Sequence, residues 1–317
     1  MWLILCYYRA MKEITPEVTP PAHTSSRRDF WLIVCAALSW GTVGVANQAI
    51  YAHVATNAIS LAFFRLIIAA PLFILASILL PGRRILRVKP RDLTLMILMG
   101  AMQALYQASY SAAIALAGVT VPTLIALCGA PVIVALLSAP LMHERLHRLT
   151  FVALLCALGG TFLLVAAHPV VGGVSLISVF FSLLAASGYA SFVICGRLLT
   201  GLYHPLHINS VAFGAGALFL LFLALPTGLT LAYPLWAWLL LLYLGCIPTA
   251  LAYGLFQIGM RSLSATIVSI VTLCEPLAAA VLAWILFHEQ LGLPGLLGAA
   301  LLLAAMALIL LFPHTPT

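Results

Sequence analysis

Ten stretches of the chain are predominantly apolar, and each is close to the roughly 20 residues that a helix needs to cross a hydrocarbon core. They run from Phe30 to Ile50, Asn57 to Leu80, Leu93 to Leu116, Val119 to Met142, Leu149 to Ala167, Val174 to Leu198, Ile208 to Leu225, Leu235 to Gly259, Ala265 to Phe287 and Leu291 to Phe312. Gly, Pro and charge clusters separate them. A water-soluble globule could not hide so much apolar surface, because 64% of the 317 residues are hydrophobic and only 7% are charged, against about a quarter charged in soluble domains. The expected fold class is therefore an all-α membrane protein with ten transmembrane helices. A soluble enzyme is excluded on this ground, and so is a nucleic-acid partner despite the net charge of +7. The first partner is the lipid bilayer.

Lys and Arg are retained on the cytoplasmic side of a membrane, so their distribution orients the spans. With the amino terminus inside, Arg9, Lys12, Arg27 and Arg28 lie in a tail over residues 1–28, and Arg83, Arg84, Arg87, Lys89 and Arg91 lie between spans 2 and 3. Arg145, Arg148, Arg197 and Arg261 also fall on inner connections, and the loops assigned to the outside contain no basic residue. Thirteen of the fourteen basic residues obey the rule, the exception being Arg65 within span 2. This predicts a multi-pass protein of the inner (plasma) membrane with both termini cytoplasmic. Met11 offers an alternative start within the tail.

The chain also repeats itself. Pro131 to Leu146, PVIVALLSAPLMHERL, superposes on Pro276 to Leu291, PLAAAVLAWILFHEQL, with seven identities, including the Pro and the His-Glu pair. Residues 29–168 and 174–312 are accordingly read as two five-helix units. Five is odd, so the second unit must enter the membrane upside down relative to the first. Such inverted repeats place a site near the midplane between the halves and permit alternating access by rocking.

Ionisable side chains at membrane depth are costly and mark function by default. Two stand out, Arg65 in span 2 and Glu275 in span 9, and their repeat counterparts are uncharged, near Ala215 and at Ala130. Each half would thus give one charge to a shared cavity; the competing reading is an arginine that snorkels outward or a structural ion pair. Span 3 carries Gln103, Tyr106, Gln107 and Tyr110 at i, i+3, i+4 and i+7, one face that lipid would not favour. Span 8 carries Thr249, Tyr253 and Gln257 at four-residue spacing. Polar stripes also glue helices together, but two amides and two phenols on one face exceed that need. Trp40, with Gly44 and Asn47 on the same side of span 1, and Tyr189 on span 6 complete the set. Pro71, Pro131, Pro248 and Pro276 lie inside spans and free backbone carbonyls, which is tolerated beside protein or a wet cavity.

Other polar features read as structural. His143-Glu144 and His288-Glu289 each precede a helix start, where free backbone amides stabilise the Glu, and an adjacent pair supplies too few ligands for a metal ion. The seven cysteines show no ligand spacing, so neither metal nor other cofactor is expected. No histidine sits in mid-span and no Asp inside a span, so an intramembrane enzyme lacks an acid/base constellation.

On these residues the chain resembles the EamA family of the drug/metabolite transporter superfamily. The resemblance rests on the ten spans in two units, the arginine of SLAFFRL at Ser60 to Leu66, the prolines of spans 4 and 9, the CEP segment at Cys274 to Pro276, and the closing HERL and HEQL. It implies an inverted-repeat bundle in which spans 1 to 4 and 6 to 9 surround a central cavity and spans 5 and 10 stand outside. It further implies a non-enzymatic transporter of small molecules, similar to the aromatic amino acid exporters, with multidrug or cation efflux as the alternative. The expected substrate-binding residues are Arg65, Glu275, Gln103, Tyr106, Gln107, Tyr110, Trp40, Tyr253, Gln257 and Tyr189. The oligomeric state is left open.

Overall fold

The computed structural model describes residues 25–79, 88–118, 120–142, 147–166, 175–287 and 292–311. Both His-Glu pairs, most of the tail and Arg83, Arg84, Arg87 and Arg145 lie outside them. Every regular element among the described residues is helical. In chain order these are α1 (Ser25–Tyr51), α2 (Ala58–Leu79), α3 (Pro90–Ala117), α4 (Thr120–Met142), α5 (Arg148–Ala166), α6 (Leu176–Leu199) and α7 (Pro205–Thr227). Then follow α8 (Leu235–Gly245), a π-helical turn (Cys246–Leu251), α9 (Ala252–Gly259), α10 (Ala265–Val271), α11 (Cys274–Phe287) and α12 (Gly292–Leu311).

Among the described residues, nine helical rods are long and apolar enough to cross a membrane, with α8, the π-turn and α9 forming one and α10 and α11 another. The expected span 3 is helix α3, which is not among the nine. It is 28 residues long and fully helical, but Gln103, Tyr106, Gln107 and Tyr110 lower its hydropathy.

Local chemistry sets the helix starts. Pro90 opens α3 and Pro205 opens α7, positions where the missing N–H costs nothing. Ser175 and Ser264 accept from the backbone N–H three residues on, at 3.1 and 3.2 Å, and so cap α6 and α10. Helix α3 ends at Gly118, whose φ of 71° suits glycine.

Packing joins the two halves of the chain throughout. Helix α3 lies against α6 and α7, α2 against α7, α4 against α6, and α1 against α9 and α11. Glycine permits the tightest crossings: a Cβ on Gly100 would collide with the Ala212 carbonyl oxygen, and one on Gly298 would sit 2.6 Å from that of Gly160. The second crossing fastens α12 to α5, a pair at the side of the bundle.

Two sets of polar contacts link the helices at opposite ends of the bundle. At the proximal end, where α1 begins, Ser262 donates to Asp29 and Tyr203 to Asp92, each at 2.6 Å, and Ser138 and Thr266 share a hydrogen bond of 3.0 Å. At the distal end Thr56 and Tyr233 pair at 2.6 Å, and Asn57 donates to the Gly228 carbonyl at 2.8 Å.

Candidate functional site

Pro248 interrupts the rod formed by α8 and α9, because it has no N–H to offer the Leu244 carbonyl four residues earlier. The backbone widens there into the π-turn, with the Ala252 N–H reaching back to the Ile247 carbonyl. The Thr249 hydroxyl takes over the vacated role and donates to the Leu244 carbonyl at 2.7 Å. Its oxygen in turn accepts from Arg65 Nε at 3.3 Å. Arg65 is buried, with 7% of its surface exposed, so the guanidinium does not snorkel to an interface. A π-turn of this sort is rare and concentrates at functional sites.

The second charge also sits beside a helix break. Thr266, Ser269 and Thr272 are spaced by three, and the hydroxyls of Ser269 and Thr272 each donate to the carbonyl three residues earlier, at 2.8 Å. Such back-bonding bends helices, and Pro276 withholds its own N–H. Helix α10 ends at Val271 and α11 begins at Cys274, which puts Glu275 in the first turn of α11 rather than in the middle of an unbroken span. The positive end of the helix dipole at that start favours a carboxylate. Arg65 and Glu275 lie within electrostatic range of each other, yet among the described residues no ion pair joins them.

Aromatic rings fill the region around these charges. Tyr106 stacks on Tyr110 at 5.9 Å and meets Tyr189 at 5.5 Å. Tyr189 continues through the fully buried Phe192 to Tyr253, which meets Trp40 at 4.8 Å. Tyr106, Tyr110, Tyr189 and Tyr253 are all within electrostatic range of Glu275. Tyr110 is held by Thr123 at 2.5 Å, and the Tyr253 hydroxyl accepts from Gln103 Nε2 at 2.9 Å.

Burial varies across this group. Residues 265–271 of α10 are all buried, while Glu275, Tyr106, Gln107, Tyr110 and Tyr189 are half-buried. Gly41 lies so close to α11 that a Cβ there would meet Ala278 Cβ at 2.6 Å, whereas one on Gly44 would meet nothing within 4 Å. These polar side chains thus keep part of their surface free on the part of the bundle where Gly44 faces open space. Buried polar atoms of this group that lack a partner among the described residues include the Trp40 Nε1 donor and the Gln103 Oε1 acceptor.

Nine of the ten expected residues belong to or border this group. Gln107 shares the exposed part of α3 and makes no side-chain hydrogen bond among the described residues. Gln257 stands apart: its Nε2 donates to the Gly196 carbonyl at 2.9 Å and to Thr200 at 3.2 Å near the proximal end. Reading the chain by spacing also missed the roles of Thr249 and Asn209. Asn209 donates to the Tyr253 carbonyl at 3.0 Å, and its signal was an amide one turn inside an otherwise apolar helix. For Thr249 the signal was its place directly after Pro248.

Comparison with known proteins agrees with this architecture. The chain is 28% identical over 291 residues to the "Uncharacterized transporter YwfM" of Bacillus subtilis, covering 89% of this chain and 93% of that protein. It is 27% identical over 288 residues to the "Uncharacterized inner membrane transporter YicL" of Salmonella typhimurium, covering 90% and 96%. An "Uncharacterized transporter" of Archaeoglobus fulgidus is 29% identical over 277 residues, covering 86% and 93%. One solved crystal structure shares the fold with a TM-score of 0.76 and 19% identity, covering 89% of this chain and 97% of its own. The EamA-like transporter family model matches twice, over residues 29–166 and 176–311, and this multi-pass membrane chain belongs to that family of transporters.

Proposed function

We propose that the chain exports small metabolites, amino acids or related zwitterions, across the inner membrane by alternating access. In this reading α3 is a tenth span, the two family segments are inverted five-helix units, and both termini are cytoplasmic. The observation that carries it is the relation between Arg65 and Glu275, opposite charges in electrostatic range that do not pair with each other. A zwitterion placed between them would give its carboxylate to Arg65 and its ammonium to Glu275. The phenols of Tyr106, Tyr189 and Tyr253 and the indole of Trp40 would cover its apolar part, and Gln103 and Gln107 would fix its orientation.

The four phenols around Glu275 also favour a second reading, efflux of hydrophobic cations with Glu275 as the counter-charge. One experiment separates the two: uptake of labelled amino acids and a cationic dye into proteoliposomes, at matched and stepped pH. Saturable amino acid flux that is lost in Arg65→Ala and in Glu275→Gln supports the zwitterion site. Parental flux in both variants, with normal insertion, overturns it. Dye flux that needs Glu275 and a proton gradient, without amino acid flux, selects the second reading.

A further inference from the structure

We infer that Thr249 is a positioning residue that decides which edge of the Arg65 guanidinium faces the substrate. The inference rests on the reading of Arg65 as the anchor for a substrate carboxylate.

A hydroxyl has one hydrogen to give and two lone pairs to receive with. Pro248 leaves the Leu244 carbonyl without its usual N–H, and the Thr249 hydrogen is committed to that carbonyl at 2.7 Å. What Thr249 turns toward Arg65 is therefore acceptor only, which suits a guanidinium that can only donate. The bond goes to Nε, at 3.3 Å. A guanidinium can grip a carboxylate with two parallel bonds through its side edge, Nε with one terminal nitrogen, or through its end, the two terminal nitrogens. With Nε engaged, the side edge is taken and the end remains. Among the described residues no side chain bonds the terminal nitrogens.

The chain of cause runs from one residue to the next. Pro248 forces the π-turn, the π-turn and the vacant carbonyl orient Thr249, and Thr249 holds an arginine on a different helix in one rotation. An arginine on a mobile side chain would bind a carboxylate by either edge; this one offers a single approach, which fixes how the rest of the substrate lies against the tyrosines.

The test compares Thr249→Val, which keeps the shape and loses the hydroxyl, with Thr249→Ser, which keeps the hydroxyl. Transport is measured in proteoliposomes with the amino acid that gives the largest saturable flux and with the amine formed by its decarboxylation, and rates are normalised to reconstituted protein. The expected result is a KM for the amino acid about ten- to a hundredfold higher in Thr249→Val, the scale of one hydrogen bond to a charged group. Its maximal rate changes little, the amine is unaffected, and Thr249→Ser restores the parental KM. If Thr249→Val fails to insert, Thr249→Cys, whose sulfur is a weak acceptor, replaces it with the same expectation in smaller measure. A parental KM in the variant, or an equal loss for the amine, overturns the inference. Should Arg65→Ala raise KM while Thr249→Val does not, only the positioning role fails; an unaltered KM in Arg65→Ala removes the anchor and this inference together.

Discussion

The Tyr203 hydroxyl donates to Asp92 Oδ2 at 2.6 Å and also receives the Lys89 N–H at 3.2 Å, tying the start of α3 to the segment between α6 and α7. Its counterpart at the distal end is the bond between Thr56 and Tyr233, also 2.6 Å. Each links one half of the chain to the other through a tyrosine. They differ in chemistry, because the proximal bond is made to a carboxylate and the distal one to a neutral hydroxyl. A second carboxylate, Asp29, holds Ser262 at the same end. Charge-assisted bonds of this kind are stronger than neutral ones, so the proximal end is the more firmly closed.

Removal of one such bond should therefore act on closure. We expect Tyr203→Phe to lower stability by about 1 kcal/mol, a charge-assisted bond discounted for partial exposure. Burial first, and the Asp92 carboxylate second, push the Tyr203 pKa above the ordinary tyrosine value, so this contribution is complete below about pH 10 and is lost as pH rises through the higher folded value. Thermal unfolding of both proteins as a function of pH checks it. The gap between them should hold through neutral pH and narrow in strong alkali.

His204 makes the opposite prediction. Its Nδ1 accepts the Leu206 N–H at 3.4 Å at the start of α7, which requires a neutral ring. Burial first, and the positive charge of Arg261 second, push its pKa below the usual histidine value, with the ring of His207 6.2 Å away. The stabilisation is present above about pH 6.5 and is lost as pH falls through the depressed value. The loss should be about 1 kcal/mol, the worth of a helix cap. His204→Asn, which caps without titrating in this range, should flatten the acid limb of the melting curve.

Gly41 and Gly44 are one helical turn apart and should respond in opposite ways to alanine. At Gly41 the new methyl would collide with Ala278 and with the backbone at Ala279 and Glu275. Overpacking of that kind costs about 1–3 kcal/mol and would displace the helix start that carries Glu275, so transport should fall along with stability. Gly44→Ala meets open space and should leave stability unchanged. Expression, melting temperature and proteoliposome flux of the two variants decide the matter.

Tyr253→Phe should cost more than the loss of a surface hydroxyl. Gln103 is 1% exposed, its Oε1 already lacks a partner among the described residues, and its Nε2 bonds the Tyr253 hydroxyl. A second orphaned polar atom on a buried amide is worth about 1–3 kcal/mol. The double variant with Gln103→Leu should recover part of that loss, since an apolar pair leaves no donor unsatisfied. Thermal unfolding of the three variants gives the coupling directly.

Much of the fold was legible because a bilayer permits so little: apolar runs of spanning length must be helices, and the lengths of nine rods follow from that alone. The two intramembrane charges were legible for the same reason, since their cost singles them out. What spacing could not show is how each helix is interrupted. Pro248 and Pro276 announce a missing N–H, but whether the backbone kinks, breaks or widens depends on what satisfies the freed carbonyl. At Pro248 that is the Thr249 side chain, itself held by an arginine 184 residues away in sequence. At Pro276 a row of hydroxyls bends the preceding turns, and Glu275 ends up at a helix start. Gln257 fell on the same periodic stripe as Tyr253, but periodicity cannot see that the Gly196 carbonyl, on a helix from earlier in the chain, claims its amide.

Helix α3 has a consequence for assembly. It carries the stripe of amides and phenols and is the long helix that falls short of the apolarity of its neighbours. Lipid alone is a poor host for it. The surfaces that cover it belong to α6 and α7, which the ribosome makes only after α3 has already emerged. The packing around α3 is therefore completed only by helices of the second half. If α3 is the tenth span of the proposed transporter, the polar stripe that would face its substrate is covered by the half of the protein that is synthesised last.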